Sequence, residues 1–163
     1  WKSRANDMKL DVFDQRILAA LQRDGALTNG ALAEIVRLSA SQCSRRRAAL
    51  EGAGVIEGYH ARLNAAKLGF AMRVIVRVTL RAHTKEDHLR FSKWLDLQAE
   101  VKAAFSVSGS ADYMLDVRAR DLESFSDFLH ERLLIQPQVG HVQSDFVLKT
   151  LKDTEALDLS DLG

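Results

Sequence analysis

Residues 38–51 hold the side chains of this chain that are best suited to recognising another molecule. Small hydroxyls, an amide and three arginines follow one another in this segment: Ser39, Ser41, Gln42, Ser44, Arg45, Arg46 and Arg47. Arginine and glutamine can bond to the edges of bases, and arginine and serine can bond to phosphate oxygens. If the segment is a helix, it could therefore lie in the major groove of double-stranded DNA.

The same segment contains signals that start a helix at Ser39. Ser39 and Gln42 have the spacing of a capping box, and Leu38 and Cys43 occupy the two hydrophobic staple positions. At about 100° per residue, Cys43 and Leu50 fall on one apolar side of the helix. The opposite side then carries Ser41, Ser44, Arg45 and Ala48.

The three consecutive arginines cannot all point in one direction on a helix. We assign Arg45 to base edges, because it falls on the polar side. Arg46 and Arg47 flank the apolar stripe, from which they could reach DNA phosphates or acidic side chains of the protein itself. A solvated charged helix is the alternative for this segment taken alone.

Two further helices are predicted before this one. The first runs from Asp11 to about Asp24, with Gly25 as its stop signal. The second has Thr28 as its N-cap, and a short turn at Arg37 joins it to the third helix. Three short helices with a tight connection between the last two predict a helix-turn-helix.

An extended segment is expected after the third helix. Gly54 ends that helix, and residues 55–59 predict a short strand or wing. We therefore expect a winged helix-turn-helix domain, with a polar N-terminal arm, over residues 1–60. A linker is expected at residues 61–69.

From Phe70 onward the spacing of apolar residues changes from helical to alternating. Helices are predicted to begin after Thr84 and Asp121, and Pro137 follows the second. The predicted strands lie near residues 74–80, 101–107, 113–117 and 141–149. The order βαββαβ is that of a ferredoxin-like α+β domain, expected over residues 70–152 and followed by a mobile acidic tail at residues 153–163.

Composition limits the possible functions. Lys and Arg number 23 against 22 for Asp and Glu, so affinity for DNA has to come from a local patch that is presented more than once. The single cysteine, Cys43, suits a buried thiol in a reducing cytoplasm. The histidines lack metal-ligand spacing, so no metal is expected. No apolar run approaches membrane-spanning length, and no membrane partner is expected.

The turn between the second and third predicted strands has groups that fit a free amino acid. Gly109 can take a positive φ and let a ligand approach the backbone. Asp112 can accept a hydrogen bond from an ammonium group, and exposed N–H groups of the turn can bind a carboxylate. A plain hairpin turn, with Gly and Asp present for conformation alone, is the alternative.

The sequence has no recognisable catalytic constellation. It shows no His or Cys pairing, no glycine-rich phosphate loop and no shared carboxylate motif, so we predict neither an enzyme nor a cofactor. The alternative to DNA binding is a metabolite-binding oligomerisation module that acts through protein contacts. Binding to duplexes that weakens steeply with salt would separate the two.

Several motifs in a fixed order resemble the Lrp/AsnC family, the feast/famine transcriptional regulators of bacteria and archaea. They cover nearly the whole chain: LDVFD at residues 10–14, LQRDG at 21–25, the segment 39–51, GVIEGY at 54–59, VSGSADY at 107–113 and FVLK at 146–149. The resemblance implies a cytoplasmic regulator of amino-acid metabolism. It implies an N-terminal domain that binds DNA and a C-terminal domain that responds to an amino acid, dimerises and assembles into tetramers or octamers.

The resemblance also assigns residues. The recognition-helix positions are Ser39, Ser41, Gln42, Ser44, Arg45 and Arg46, whereas Arg47 stands where relatives usually have an aliphatic residue. The ligand-response positions are Gly109, Ser110, Ala111, Asp112, Tyr113 and Ser144. Asp145 replaces an uncharged polar residue, which would favour a cationic ligand if its side chain faces the pocket.

Overall fold

The computed structural model describes residues 9–154 and 156–160. The described residues form two compact units. The first unit contains the chain up to Arg62 and the chain from Asp153 onward, and the second unit is Leu63–Lys152. The segment from Leu63 that we expected to act as a linker thus groups with the second unit, and the described part of the tail groups with the first. The N-terminal arm expected at residues 1–8 lies outside the described residues.

Three helices make up most of the first unit. They are α1 (Val12–Arg23), α2 (Asn29–Val36) and α3 (Ala40–Gly52). The predicted N-caps Thr28 and Ser39 are confirmed, and Asp11, where the first helix was predicted to begin, is the N-cap of α1; each of these side chains accepts a hydrogen bond from the first turn. These caps satisfy backbone donors that have no partner within the helix.

The core of the first unit lies between these helices. Its buried apolar residues are Ile17, Leu18, Ala20, Leu21, Leu32, Val36, Cys43 and Leu50. Helix α3 contributes only Cys43 and Leu50, as its predicted apolar stripe requires. The rest of its surface is therefore available for other contacts.

The prediction of a strand at residues 55–59 was wrong, because this segment pairs with no strand among the described residues. The N–H groups of Val55 and Ile56 both donate to the carbonyl oxygen of Leu50, at 2.9 and 3.2 Å. The backbone here closes the C-terminus of α3. Val55 and Ile56 also pack, half-buried, against the core.

The second unit has the predicted βαββαβ order. Its elements are β1 (Met72–Leu80), α4 (Lys85–Leu95), β2 (Val101–Ser106), β3 (Tyr113–Ala119), α5 (Leu122–Asp127), which continues into a π-helical turn (Phe128–Leu133), and β4 (Val139–Phe146). The sheet is antiparallel with the strand order β2-β3-β1-β4. This topology confirms the ferredoxin-like α+β fold.

The last strand ends earlier than the predicted Lys149. Strand β1 begins at Met72, and the last ladder bond runs from the N–H of Val147 to the carbonyl of Arg73, at 2.9 Å. Beyond that point no described strand remains for the chain to pair with, so the alternating pattern at residues 147–149 does not extend β4.

The sheet has one face covered by helices and one open face. Val74, Val76 and Val78 of β1 are buried with Phe91 of α4 and Phe128 of the π-helical turn. The opposite face, which we call the open face, carries Arg73, Ile75, Arg77, Phe105, Met114 and Asp116. Alternation along the strands separates the two sets.

Candidate DNA-binding surface and ligand loop

One side of helix α3 faces away from the core of the first unit. Ser41, Ser44, Arg45 and Ala48 are exposed, as the helical spacing predicted. Among the described residues, Arg45 has no hydrogen-bond or ion-pair partner. A guanidinium with this freedom has all its donors available for a base edge or a phosphate.

Ser39 and Gln42 serve the start of α3. The N–H of Ser39 donates to Oε1 of Gln42 at 3.0 Å, and the N–H of Gln42 donates to Oγ of Ser39 at 3.2 Å. The two hydroxyl oxygens of Ser39 and Ser41 lie 3.0 Å apart. Of the predicted DNA-binding residues, Ser39 and Gln42 thus have a capping role, and only the amide nitrogen of Gln42 is left to reach outward.

Arg46 binds the internal acids of α1. Its Nη1 lies 2.7 Å from Oδ1 of Asp14 and 2.8 Å from Oδ2 of Asp11, and its guanidinium stands over the ring of Phe13. Only 7% of the Asp14 side chain is exposed. The backbone N–H of Asp14 and the guanidinium of Arg46 both bond to Asp11 and hold its pKa below the ordinary value.

Arg47 connects α3 to two other segments. Its Nε donates to Oε1 of Glu51 at 3.1 Å and to the hydroxyl of Tyr59 at 2.9 Å, and its Nη1 donates to the carbonyl of Leu27 at 3.0 Å. The Tyr59 hydroxyl donates to Glu51 at 2.8 Å, and this bond, with that of Arg47, lowers the pKa of Glu51. The guanidinium also stacks 4.5 Å above the Tyr59 ring. Arg47 therefore holds α3 to the segments that carry Leu27 and Tyr59.

The loop that was expected to bind a ligand lies at the end of the β2–β3 hairpin. Gly109 has φ +149°, the positive value predicted for it. Asp112 is held by several bonds: its N–H donates to the carbonyl of Val78 at 3.0 Å, and its Oδ2 accepts from the N–H of Leu80 at 2.8 Å. Its Oδ1 lies 3.2 Å from Nδ1 of His83, and 20% of the side chain is exposed. One carboxylate oxygen thus faces His83 and the surface.

Tyr113 belongs to the core of the second unit. Its ring is buried and packs 4.8 Å from the ring of Phe91. Its hydroxyl lies 2.7 Å from Nδ1 of His88, and burial, with the charge of Asp112, raises its pKa. No sequence spacing pointed to His83 or His88, because both are placed beside the loop by the packing of the strand and helix that precede it.

Ser144 and Asp145 do not adjoin this loop in the single chain. Ser144 of β4 pairs with Val76 on one side of β1, whereas Tyr113 of β3 pairs with Val78 on the other side. Strands β3 and β4 are therefore two strand spacings of about 4.8 Å apart. Asp145 lies on the open face, where Arg77 approaches it to 3.3 Å. The charge of Asp145 is therefore matched by Arg77, and in the single chain its side chain does not face the loop.

Residues 9–154 and 156–160 contain neither a metal-binding cluster nor a membrane-spanning helix. No three His, Cys, Asp or Glu side chains lie close enough together to hold a metal ion. No helix in this part of the chain has the length and apolar character to cross a membrane.

Comparison with protein families matches both units. Residues 10–57 match the model described as winged helix-turn-helix DNA-binding, and residues 73–157 match the Lrp/AsnC ligand binding domain. A DNA-binding domain joined to a ligand-binding domain defines a transcriptional regulator. The chain belongs to the Lrp/AsnC family of these regulators.

Individual relatives match over nearly their full length. The transcriptional regulatory protein DoeX of Halomonas elongata is 37% identical over 96% of this chain and 99% of its own. The leucine-responsive regulatory protein of Rhizobium meliloti is 38% identical over 90% of this chain and 94% of its own. Among solved structures, a transcriptional regulator from Neisseria meningitidis in complex with L-Met has a TM-score of 0.91 at 37% identity, covering 94% of this chain and 99% of that one.

Proposed function

We propose that this chain is a sequence-specific DNA-binding regulator of amino-acid metabolism whose activity is modulated by a small amino acid. The outward side of α3 carries this proposal: Arg45 and Ser44 have no hydrogen-bond partner among the described residues, Ser41 is exposed beside them, and Arg46 and Arg47 hold the helix from the sides. Such a helix presents a rigid row of donors to a major groove. Its DNA target leads us to expect a cytoplasmic location.

Two relatives support an amino acid as the effector. The N. meningitidis regulator was solved with L-Met, and the R. meliloti relative is named as leucine-responsive. In this chain Asp112 and the backbone around Gly109 supply an acceptor for an ammonium group and donors for a carboxylate. We propose an amino-acid site at this loop, with Ser110 and Ala111 completing it; Ser144 could contribute only from another copy of the chain.

Arg45→Ala is the direct test of DNA recognition. We expect it to cost about 1–3 kcal/mol of discrimination at one base position, because a guanidinium that bonds a base edge would be lost. Stability should be unchanged, since Arg45 has no partner among the described residues. The measurement is fluorescence anisotropy on duplexes selected by the wild-type protein and on variants that each carry one changed base pair.

Arg90→Ala supplies the control for charge in that experiment. It also removes an exposed arginine, but one paired with Glu86 on α4 in the second unit. Discrimination should survive in this control. Equal losses for Arg45→Ala on selected and random duplexes would show that Arg45 binds phosphate and does not read a base.

We propose further that two copies dimerise through the open face and that dimers assemble into tetramers or octamers. Arg73 holds Asp116 in a fork, with Nε at 2.9 and 3.1 Å and Nη2 at 2.6 Å, so the charges at its centre are matched within the chain. Phe105 is 52% exposed beside them. Matched charges and exposed apolar side chains suit burial against a second copy. A dimer could then present two α3 helices to successive major grooves.

Ile75→Glu tests this face in the full chain. It places a carboxylate in the middle of the open face, opposite Asp116 and Asp145 on the neighbouring strands, which should raise the dimer dissociation constant at least about tenfold, since a buried charge facing like charges is costly. Sedimentation velocity over a range of concentrations measures the change. Leu97→Glu is the control, because Leu97 is 80% exposed after α4, away from the open face. If the Leu97 variant dissociates and the Ile75 variant does not, the interface lies elsewhere.

A further inference from the structure

The C-terminal segment at residues 153–154 and 156–160, which we call the terminal strap, packs on α1 and the core of the first unit. The side chain of Gln22 on α1 bonds to both backbone groups of Leu157: its Nε2 donates to the Leu157 carbonyl at 3.1 Å, and its Oε1 accepts from the Leu157 N–H at 2.7 Å. The side-chain amide of Gln22 thus bonds to both the backbone N–H and the backbone carbonyl of Leu157, as a neighbouring strand does in a β-sheet. These two bonds fix the position of the strap along α1.

The strap also covers the apolar core of this unit. Leu159 is half-buried and packs against the cluster that contains Cys43 and Leu50. Leu157 and Leu159 form one side of a groove whose other walls include Leu10, Leu18, Leu21, Val55, Ile56 and Tyr59. The chain's own C-terminal segment is therefore one wall of this groove.

A third contact joins the strap to Arg62, which lies after α3 in the first unit. Nη2 of Arg62 donates to the carbonyl of Asp153 at 2.8 Å and lies 3.5 Å from its carboxylate. Arg62 is the last residue before the chain leaves the first unit, and Asp153 is the first after it returns. The two chain connections are thus tied together at one point of the first unit.

We propose that the terminal strap is a working part of the DNA-binding unit: it docks on α1, closes one side of the groove beside residues 55–59 and stabilises the core that supports the recognition helix. Helix α3 enters that core through only Cys43 and Leu50. Loss of the strap exposes part of the same cluster, so α3 becomes easier to displace. DNA affinity then depends on a segment that is distant from α3 in the sequence and follows the ligand-binding domain.

The buried thiol of Cys43 provides a direct measurement of this effect. Cys43 is the chain's single cysteine and is 0% exposed, so a thiol reagent reaches it only when the first unit opens. When opening and closing are fast, the labelling rate follows the opening equilibrium. This readout requires neither DNA nor an effector, so it does not depend on the proposed function.

Three variants of the full chain and one truncated chain make the test. We expect Leu159→Ser to raise the Cys43 labelling rate about tenfold, the factor that corresponds to about 1.4 kcal/mol, and a chain ending at Lys152 to raise it at least as much. Gln22→Glu should raise it less, since a carboxylate accepts from the Leu157 N–H but repels its carbonyl. Leu151→Ser is the matched control, because Leu151 is 87% exposed in the same part of the chain and should leave the rate unchanged.

Hydrogen exchange identifies the cause of any change. The Leu157 amide should exchange faster in Gln22→Glu than in the wild type. In a separate measurement, DNA affinity should fall in Leu159→Ser but not in Leu151→Ser. Equal Cys43 labelling in the wild-type, truncated and Leu159→Ser chains would overturn the proposal. So would equal acceleration by Leu151→Ser, because the effect would then not come from docking on α1.

Discussion

Arg46→Ala is expected to destabilise the first unit by about 2–3 kcal/mol, somewhat less than the 3–5 kcal/mol typical for breaking a fully buried ion pair. The guanidinium is 27% exposed, but its partner Asp14 is 7% exposed and would be left buried without its cation. The contact also joins α3 to α1, so its loss loosens the packing that orients the recognition helix. The change is measured by thermal or urea unfolding, with the exposure of Cys43 as the signal that the first unit has unfolded.

Arg45→Ala is the matched control for this loss. It removes the neighbouring arginine of the same helix, and its effect on unfolding should stay within about 0.5 kcal/mol because it is a surface substitution without partners. The double variant Arg46→Met with Asp14→Leu should recover most of the stability, since no buried charge is then left alone. A stable Arg46→Ala protein would mean that the contact with Asp14 contributes little.

The effect on DNA separates the two roles that the sequence left open for Arg46. If Arg46 only positions the helix, its alanine variant binds all duplexes more weakly near its melting temperature and almost normally at low temperature. If Arg46 also contacts phosphate, the slope of log affinity against log salt should fall by about one at every temperature. The internal contacts favour the first result.

Acid pH provides a second check on this cluster. The pKa of Asp11 is lowered in the folded protein, so its contribution to stability is fully present above its unfolded pKa and is lost as the pH falls through the folded value. The wild type should therefore lose stability in the first unit as the pH falls below about 4. Arg46→Ala should lose less over the same range, though not nothing, since the Asp14 N–H still lowers the pKa of Asp11.

Local signals in the sequence were sufficient to predict most elements and the outward side of α3. The capping box at Ser39 and the spacing of Cys43 and Leu50 involve residues within one or two helical turns, and such contacts hold in any tertiary context. The partners of Arg46 and Arg47 could not be predicted in this way. Asp14 lies 32 positions before Arg46, and Leu27 lies 20 before Arg47, so only the packed unit brings them together.

Backbone conformation explains other differences between expectation and structure. Arg37 takes a left-handed φ of +59° in the turn of the helix-turn-helix, a position that usually favours glycine and that no sequence pattern marked. Residues 55–59 have the composition of a strand but use their first amides to close α3. Asp112 was predicted as a free acceptor, yet the end of β1 already donates to it through Leu80.

The last of these differences decides how the ligand site should be tested. Asp112→Asn keeps an oxygen that can accept from the Leu80 N–H, but it removes the charge that would bind an ammonium group. Losing a charged hydrogen bond costs about 1.5–3 kcal/mol, so we expect amino-acid affinity to fall roughly ten- to a hundredfold. Asp112→Ala should show the same loss and a less stable second unit, because the buried N–H of Leu80 is then left without its partner.

Calorimetry with purified full-length protein measures both variants, using L-Met first and then any amino acid that raises the melting temperature of the wild type. DNA affinity without ligand should stay close to that of the wild type in Asp112→Asn, since the substitution lies outside the first unit. Unchanged amino-acid binding in both variants would show that Asp112 is a turn residue only. The ligand would then bind elsewhere on the sheet or between dimers, where Ser144 of one copy could approach the loop of another.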